Sequence, residues 1–425
     1  MYPIPSQHTD LFDIKLTPNH NPMDPNLYKA VKNGDVKYLD QHTDLFDNQV
    51  TPNHNTILHV AAHFGKSECV ARILPKKPCH LIRRVNSIGE NPLHIAVREQ
   101  HYDIVQALIN GAEELDRDPE SGGGTRLQIL RATNVDGDTP LHLAVREGDD
   151  SFVRLLADTD SDFQHPPNKA RETPLYLAAE RNNGDSMVES ILVCKSTAYT
   201  GPGDRTALHA AVIFGNIGSI KKLLGRNMEL IDMADAQGWT PLHYAAYCGD
   251  KNAVRELLER NRSVGYIPTT EKHDKGIALH IAVAEGHVDV MEEILSHCPD
   301  CWEMVNGKGK NILHIAVDRK AECVIDYIIK MDWLASLMNQ KDVEDNTPLH
   351  LLASSKMKGM NDLINHRRAN MYAVNNKNKT PAEVAMSIKE VNECPNSDLF
   401  YIECFYKLIE FDIRNELHAY ESHHI

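Results

Sequence analysis

The chain has no long apolar run. Nowhere among its 425 residues do about 18 or more apolar side chains follow one another, the length a helix needs to cross hydrocarbon. An excess of positive charge is also missing. Lys+Arg number 45 against Asp+Glu 60, for a formal net charge of −15. A nucleic-acid binder needs a basic footprint to displace counterions from phosphates, so that class is set aside. The acidic balance favours a partner with some basic character. The nine cysteines form no regular framework, and the opening MYPIPSQHTD has neither a basic nor an apolar signal segment. Both point to a reducing, cytoplasmic setting.

Catalytic motifs are missing too. There is no G-x-S-x-G elbow and no phosphate loop. The run Gly122-Gly123-Gly124 has no following Lys-Ser/Thr. Cys298-Pro-Asp-Cys301 has a metal-like spacing, but a structural zinc needs a second such pair. A redox pair would open a helix rather than follow one. No enzyme, cofactor or metal is therefore expected.

What is present is a repeat. Thr-Pro-Leu-His or a variant stands at 56–59, 91–94, 139–142, 173–176, 206–209, 240–243, 277–280, 311–314 and 347–350, with a worn Thr-Pro-Ala-Glu at 380–383. The steps run from 33 to 37 residues, apart from one of 48. A fixed period of this length means a solenoid of stacked units.

One unit shows how the fold arises. In DAQGWTPLHYAAYCGDKNAVRELLER (235–260), Thr240 is an N-cap and Pro241 a first helical residue. Leu242, Ala245 and Ala246 share a face at i, i+3, i+4. The alanines are small so that a second helix can lie close. Gly249 ends the first helix, and a second, starting near Asp250, buries Val254, Leu257 and Leu258. Upstream, Asp235 to Gly238 is a turn.

Thr-Pro-Leu-His-x-Ala-Ala followed by Gly-x-x-x-x-Val-x-x-Leu-Leu resembles the ankyrin repeat. That resemblance implies an all-α ankyrin-repeat solenoid of about eleven helix-turn-helix units with β-hairpin fingers. It spans 23–385, with PNLYKAVKNGDVKYLDQ at 25–41 as a degenerate N-terminal cap. His59, His94, His142, His209, His243, His280, His314 and His350 fill the fourth signature position. The resemblance makes them finger-locking residues, and Tyr176 in the remaining register argues against a metal ladder.

Three departures stand out. The long step holds GAEELDRDPESGGGTRLQILRAT at 111–133, read as a loop outside the stack. QHTDLFDIKLTPNHN at 7–21 nearly copies 41–55, so residues 1–22 are expected to pack poorly. SDLFYIECFYKLIEFDIRNELHAY at 397–420 carries a stripe of Leu399, Ile402, Phe405, Leu408 and Ile409. Residues 386–425 are thus expected to form a C-terminal helix, either a cap or a linker.

The segments MDPNLYKAVKNGDV at 23, NTILHVAAHFGKSECV at 55–70 and HCPDCWEMVNGKGKNILHIAV at 297–317 together resemble the plant accelerated-cell-death type of ankyrin protein. Members of that family continue into a membrane domain with a Pro-Gly-Gly motif, which this sequence does not reach. The resemblance implies a truncated or alternative form. It also implies a scaffold or regulator in plant defence and cell-death signalling, at the cytoplasmic face of the plasma membrane. The alternative is a subunit whose C-terminal helix docks onto a channel-like membrane protein in trans.

Partners are expected to be proteins, held on the concave surface of finger tips and first helices. Candidate finger contacts are Asn86, Asp136, Asp138, Gln237, Trp239, Lys308, Lys310 and Asp345. Candidates near first-helix ends are Arg146, Arg181, Phe214 and Tyr247. Trp239 stands out, because aromatic and Arg side chains dominate interface energies.

Overall fold

The computed structural model describes residues 21–391, apart from 48, 76–77, 118–122, 196, 332–333, 356–360 and 365. The duplicated segment before residue 21 and the aromatic stripe at 397–420 lie outside the described residues. So does most of the proposed C-terminal helix, of which Pro381–Val391 covers only the start.

Helices follow one another in pairs. Pro25–Asn33 and Val36–Gln41 form the first, and Pro348–Ser354 with Asn361–Ile364 the tenth. Pro381–Val391 begins an eleventh. The strands among the described residues are two stubs, Asn21–Pro22 and Gln49–Val50, paired in parallel. Elsewhere the fingers are pared down to tight turns. In one, Asn134 N–H donates to Asp138 O at 3.0 Å, and Gly137 N–H donates back to Asn134 O at 2.9 Å.

The chain parts into two compact units. The first holds Met1–Ala178 and Ser186–Pro202, the second Ala179–Asp185 and Gly203–Ile425. Pairing within the repeats is the same in each. In the second unit, Pro241–Cys248 is capped by Thr240 and closed by Gly249 at φ +72°. Lys251–Arg260 follows, its first turn held by the Asp250 carboxylate, which accepts from the Asn252 and Ala253 amides at 3.0 Å. Leu242, Ala245, Ala246, Val254, Leu257 and Leu258 are fully buried. Each buried leucine contributes about 2 kcal/mol through area removed from water. The first unit repeats this with Leu58, Ala61 and Ala62 against Val70 and Ile73, all fully buried.

The segment 111–133 is not the loop that its composition suggested. Residues up to Arg117 prolong the second helix, Tyr102–Arg117, by two turns, burying Ala112 and Leu115. Thr125–Arg131 forms a further helix with Thr125, Ile129 and Leu130 buried. Asp116 caps it, accepting from the Arg126 amide at 3.0 Å. The two helices are thus amphipathic, and Ala112, Leu115, Ile129 and Leu130 supply a core side that charge counting hid.

Candidate partner-binding faces

A ladder of histidines holds consecutive fingers in register. His59 accepts at Nδ1 from its own Thr56 amide at 3.1 Å, and its Nε2–H donates to Glu90 O at 3.0 Å. His142 joins Thr139 to Glu172 O at 3.1 Å in the same way. In the second unit His209 reaches Trp239 O, His243 Ile267 O, His314 Asn346 O and His350 Lys379 O, each at 3.0 Å. His94 and His280 make the corresponding bonds to Asp138 O and Met304 O at 3.2 Å. The motif is a capping box with imidazole where Glu or Gln normally stands. A carbonyl can only accept, so Nε2 carries the proton and Nδ1 is the acceptor. Burial holds these rings neutral: it pushes His59, His94, His142, His209, His243 and His280 down to about 4.

At six of the eight rungs this frame uses only the backbone carbonyl of the residue just before the next signature, whereas His243 and His280 bond Ile267 O and Met304 O further upstream. The side chain before the signature is not needed for that bond, and in five repeats it meets the side chain eight residues further on, near the end of the first helix. In the first unit these pairs are acid then arginine. Arg98 binds Glu90, and Arg146 lies 3.6 Å from Asp138 while donating to Glu172 at 2.6 Å. In the second unit one pair reverses that order and another sets a lysine against a hydroxyl. Lys310 donates to Asp318, and Lys379 donates to the Ser387 hydroxyl at 2.5 Å. Between these lies an aromatic pair at the same two places, Trp239 and Tyr247, with ring centroids 5.8 Å apart.

Trp239 sits among four rings, adding Tyr244 at 5.1 Å, His273 at 5.8 Å and His243 at 6.2 Å. Beneath it, the Tyr244 hydroxyl donates to Asp235 at 2.7 Å. Burial and that bond push the Tyr244 phenol up to about 12. Burial alone would raise the Asp235 carboxyl, but the Tyr244 hydroxyl and the Trp239 and Gln237 amides hold it below its ordinary value. The indole N–H of Trp239 and Nε2 of His273 are buried without a hydrogen-bond partner. Trp239, Tyr247 and His273 wall one end of a groove of about 660 Å³, which runs past Ile281 and Ile315 to Lys310, Asp318 and Arg319. In the first unit a groove of about 1080 Å³ is lined by Tyr28, Phe64, Ile88, Ile95, Glu90 and Arg98, among others.

The candidate contacts sort into three groups. Tyr247 and Phe214 are about half exposed, at 51% and 49%, and Asp136, Gln237 and Lys308 are exposed at finger tips. Others belong to the frame or to ion pairs. Asn86 accepts the Ile88 and Glu90 amides inside its own turn. Asp138 is buried and accepts from Asn168 Nδ2 at 2.7 Å, so neither is a free contact residue. Asp345, at φ +58°, takes the left-handed place that Gly137 and Gly238 fill in other fingers. Lys308 is tied to Asp274 at 2.9 Å and Lys310 to Asp318. Arg146 bridges two carboxylates, and the Arg181 carbonyl accepts from Asn216 at 2.9 Å. Tyr28, Phe64, Glu90, His273 and Ile315 escaped the sequence reading. Of these, the pairing of one place before each signature with the place eight residues on finds only Glu90, whose partner is Arg98.

Cys298 and Cys301 are buried, and burial raises both thiols, Cys301 to about 12. Cys298 Sγ–H donates to Arg262 O at 3.4 Å, so the pair packs under a turn. Among the described residues no three His, Cys, Asp or Glu side chains gather as metal ligands. No helix among them is long and apolar enough to cross a membrane.

Helix pairs on a buried frame, with variable side chains confined to finger tips and first-helix ends, define a protein-interaction solenoid, a module that is generally non-catalytic. A model of ankyrin repeats matches residues 27–118, 124–199 and 181–268, more than half of the chain. The chain belongs to the ankyrin-repeat family. It is similar to Protein ACCELERATED CELL DEATH 6 of Arabidopsis thaliana, 26% identical over 62% of this chain and 42% of that protein. It is also similar to the target of rapamycin complex 2 subunit AVO2 of Saccharomyces cerevisiae, 29% identical over 34% of this chain and 33% of that one. It thus spans less than half the length of either relative. A crystal structure of the human ASB11 ankyrin repeat domain aligns with 56% of this chain and 98% of its own, at 25% identity and a TM-score of 0.42.

Proposed function

We propose that the chain is a protein–protein interaction scaffold or regulator in plant defence and cell-death signalling, holding partners on the concave ankyrin surface of its units. The observation that carries this is the Trp239–Tyr247 pair. It stands where the repeats at 91, 139 and 311 carry an ion pair, and it leaves Tyr247 half exposed beside a groove. Aromatic anchors of this kind contribute most of the binding energy in protein interfaces. The defence assignment draws on the Arabidopsis relative.

The test is proximity labelling in plant cells with the full chain and with Tyr247→Glu plus Phe214→Glu. Both side chains are exposed, so the melting temperature should stay within about 2 °C while the labelled partner set is lost. An unchanged set sinks this face. The proposal extends to the cytoplasmic face of the plasma membrane, reached through a membrane-protein partner. Fractionation of cells expressing a 386–425 deletion tests it: a membrane fraction equal to that of the full chain counts against that docking segment.

A further inference from the structure

The groove in the first unit has a feature that the protein frame does not explain. Glu90 is 2% exposed and lines this groove, yet its Oε2 has no hydrogen-bond partner. The next two repeats provide an internal comparison. Asp138 at the equivalent place has Oδ1 bound by Asn168 Nδ2 at 2.7 Å and Oδ2 3.6 Å from Arg146. Glu172 takes both Arg146 at 2.6 Å and Asn168 Nδ2 at 3.2 Å on Oε2. At Glu90, Arg98 engages Oε1 alone. Arg98 also has a second carboxylate within reach, since its Nε is 3.7 Å from Glu99.

An ionised carboxylate oxygen with no donor is a costly thing to bury. Part of the wall around it is apolar: Pro25, Pro52, Tyr28, Phe64 and Ile88 line the same groove, alongside Lys29, His63 and Asn86, with Tyr28 edge-on to Phe64 at 6.0 Å and Ile88 45% exposed. A cation carried on an apolar body fits both parts. The chain's net charge of −15 favours such a partner at long range.

We infer that this groove is a socket for a basic side chain borne by an apolar peptide segment of a partner protein. The incoming guanidinium or ammonium donates to Glu90 as Arg98 swings toward Glu99, and the flanking apolar residues pack against Phe64 and Ile88. This rests on the protein-binding reading above but names a different unit and a chemistry for the partner.

The experiment uses the full chain and a fluorescein-labelled nonapeptide with one central arginine between leucines. The same peptide with citrulline, which keeps the shape and removes the charge, is the comparison, and fluorescence anisotropy is the readout. The arginine peptide should bind at least tenfold more tightly. Glu90→Gln should erase that ratio. The Glu90 backbone carbonyl, not its side chain, serves the histidine ladder, and a thermal melt checks folding. If Glu90→Gln does not fold, Ile88→Ser must weaken both peptides equally. Equal binding of the two peptides overturns the socket, as does a ratio that survives Glu90→Gln or an Ile88→Ser variant that binds as before. Competition by arginine amide alone, as strong as by the peptide, overturns the peptide half of the inference. Peptide binding lost in Tyr247→Ala would move the site to the second unit, leaving the protein-binding reading standing while this one falls. A tenfold ratio alongside an unchanged labelled set would do the opposite.

Discussion

The two units share a frame and hang different chemistry on it. Before the signature the first unit places Glu90 and Asp138, answered eight residues on by Arg98 and Arg146. In the second unit Lys310 is answered by Asp318, and Trp239 by Tyr247. This is possible because the histidine ladder asks Glu90, Asp138 and Trp239 only for a backbone carbonyl, which every amino acid has, and asks nothing of Lys310, since His280 bonds Met304 O instead. Stability and recognition are thereby carried by different atoms of the same residue. One groove ends in a buried carboxylate, the other in an indole, and the fold is indifferent to which.

The largest effect should come from attacking what the units share. The ladder histidines are held at about 4 by burial, against about 6.5 in an unfolded chain. The unfolded state therefore binds more protons between those values. The stabilisation is fully present above pH 6.5 and is lost as pH falls toward 4, by up to roughly 3 kcal/mol for each ring. Thermal melts by circular dichroism should drop steeply from pH 7 to pH 5, in both units together. A melting temperature flat across that range would break the shared frame.

Next come the finger glycines. Gly137, at φ +81°, has room for no side chain, since a Cβ would stand 2.9 Å from the Lys169 backbone nitrogen. Gly238, at φ +80°, would meet the Thr270 methyl first, with the Thr270 backbone nitrogen further off at 3.1 Å. Gly137→Ala should cost about 2–3 kcal/mol and Gly238→Ala about 1–2, read as a difference in urea midpoints. Equal costs would mean that strain at φ, not the neighbouring finger, decides.

A third step separates anchor from support. Trp239→Ala removes contacts to four rings and should cost about 1–3 kcal/mol. Tyr247→Ala, at a half-exposed position, should stay within about 0.5 kcal/mol while weakening partner capture. Matching stability losses would make the pair a structural cluster and leave the acid–base reversal as the only difference between grooves. The smallest effect is expected at Lys310→Ala. Its partner Asp318 is 37% exposed, and screening limits such pairs to under about 1 kcal/mol. A larger loss would show that the reversed pair shapes the second unit after all.

Much of this was legible from spacing. Thr240, Pro241, Leu242, Ala245 and Gly249 announce a capped helix, its core side and its end, because each answers a local demand of the backbone. The segment 111–133 was misread for the opposite reason. Its acidic and Gly-rich surface masks Ala112, Leu115, Ile129 and Leu130, whose burial depends on neighbouring helices. Asn86 and Asp138 looked like free contacts because a turn residue and an exposed tip share one composition. Only hydrogen bonds to Asn55 at 3.1 Å and from Asn168 distinguish them.

The sequence by itself determined the repeat, the helix caps and the identity of the eight ladder histidines, since all of these follow from contacts within a few residues of the chain. Tertiary structure decided the rest. Which finger carbonyl each imidazole reaches lies 24 to 44 residues away. That Glu90 keeps a carboxylate oxygen without a donor, and that His273 joins the rings of Trp239's own repeat around the indole, depends on side chains brought together by stacking. Those meetings are set by the packing of whole units, and local spacing carries no record of them.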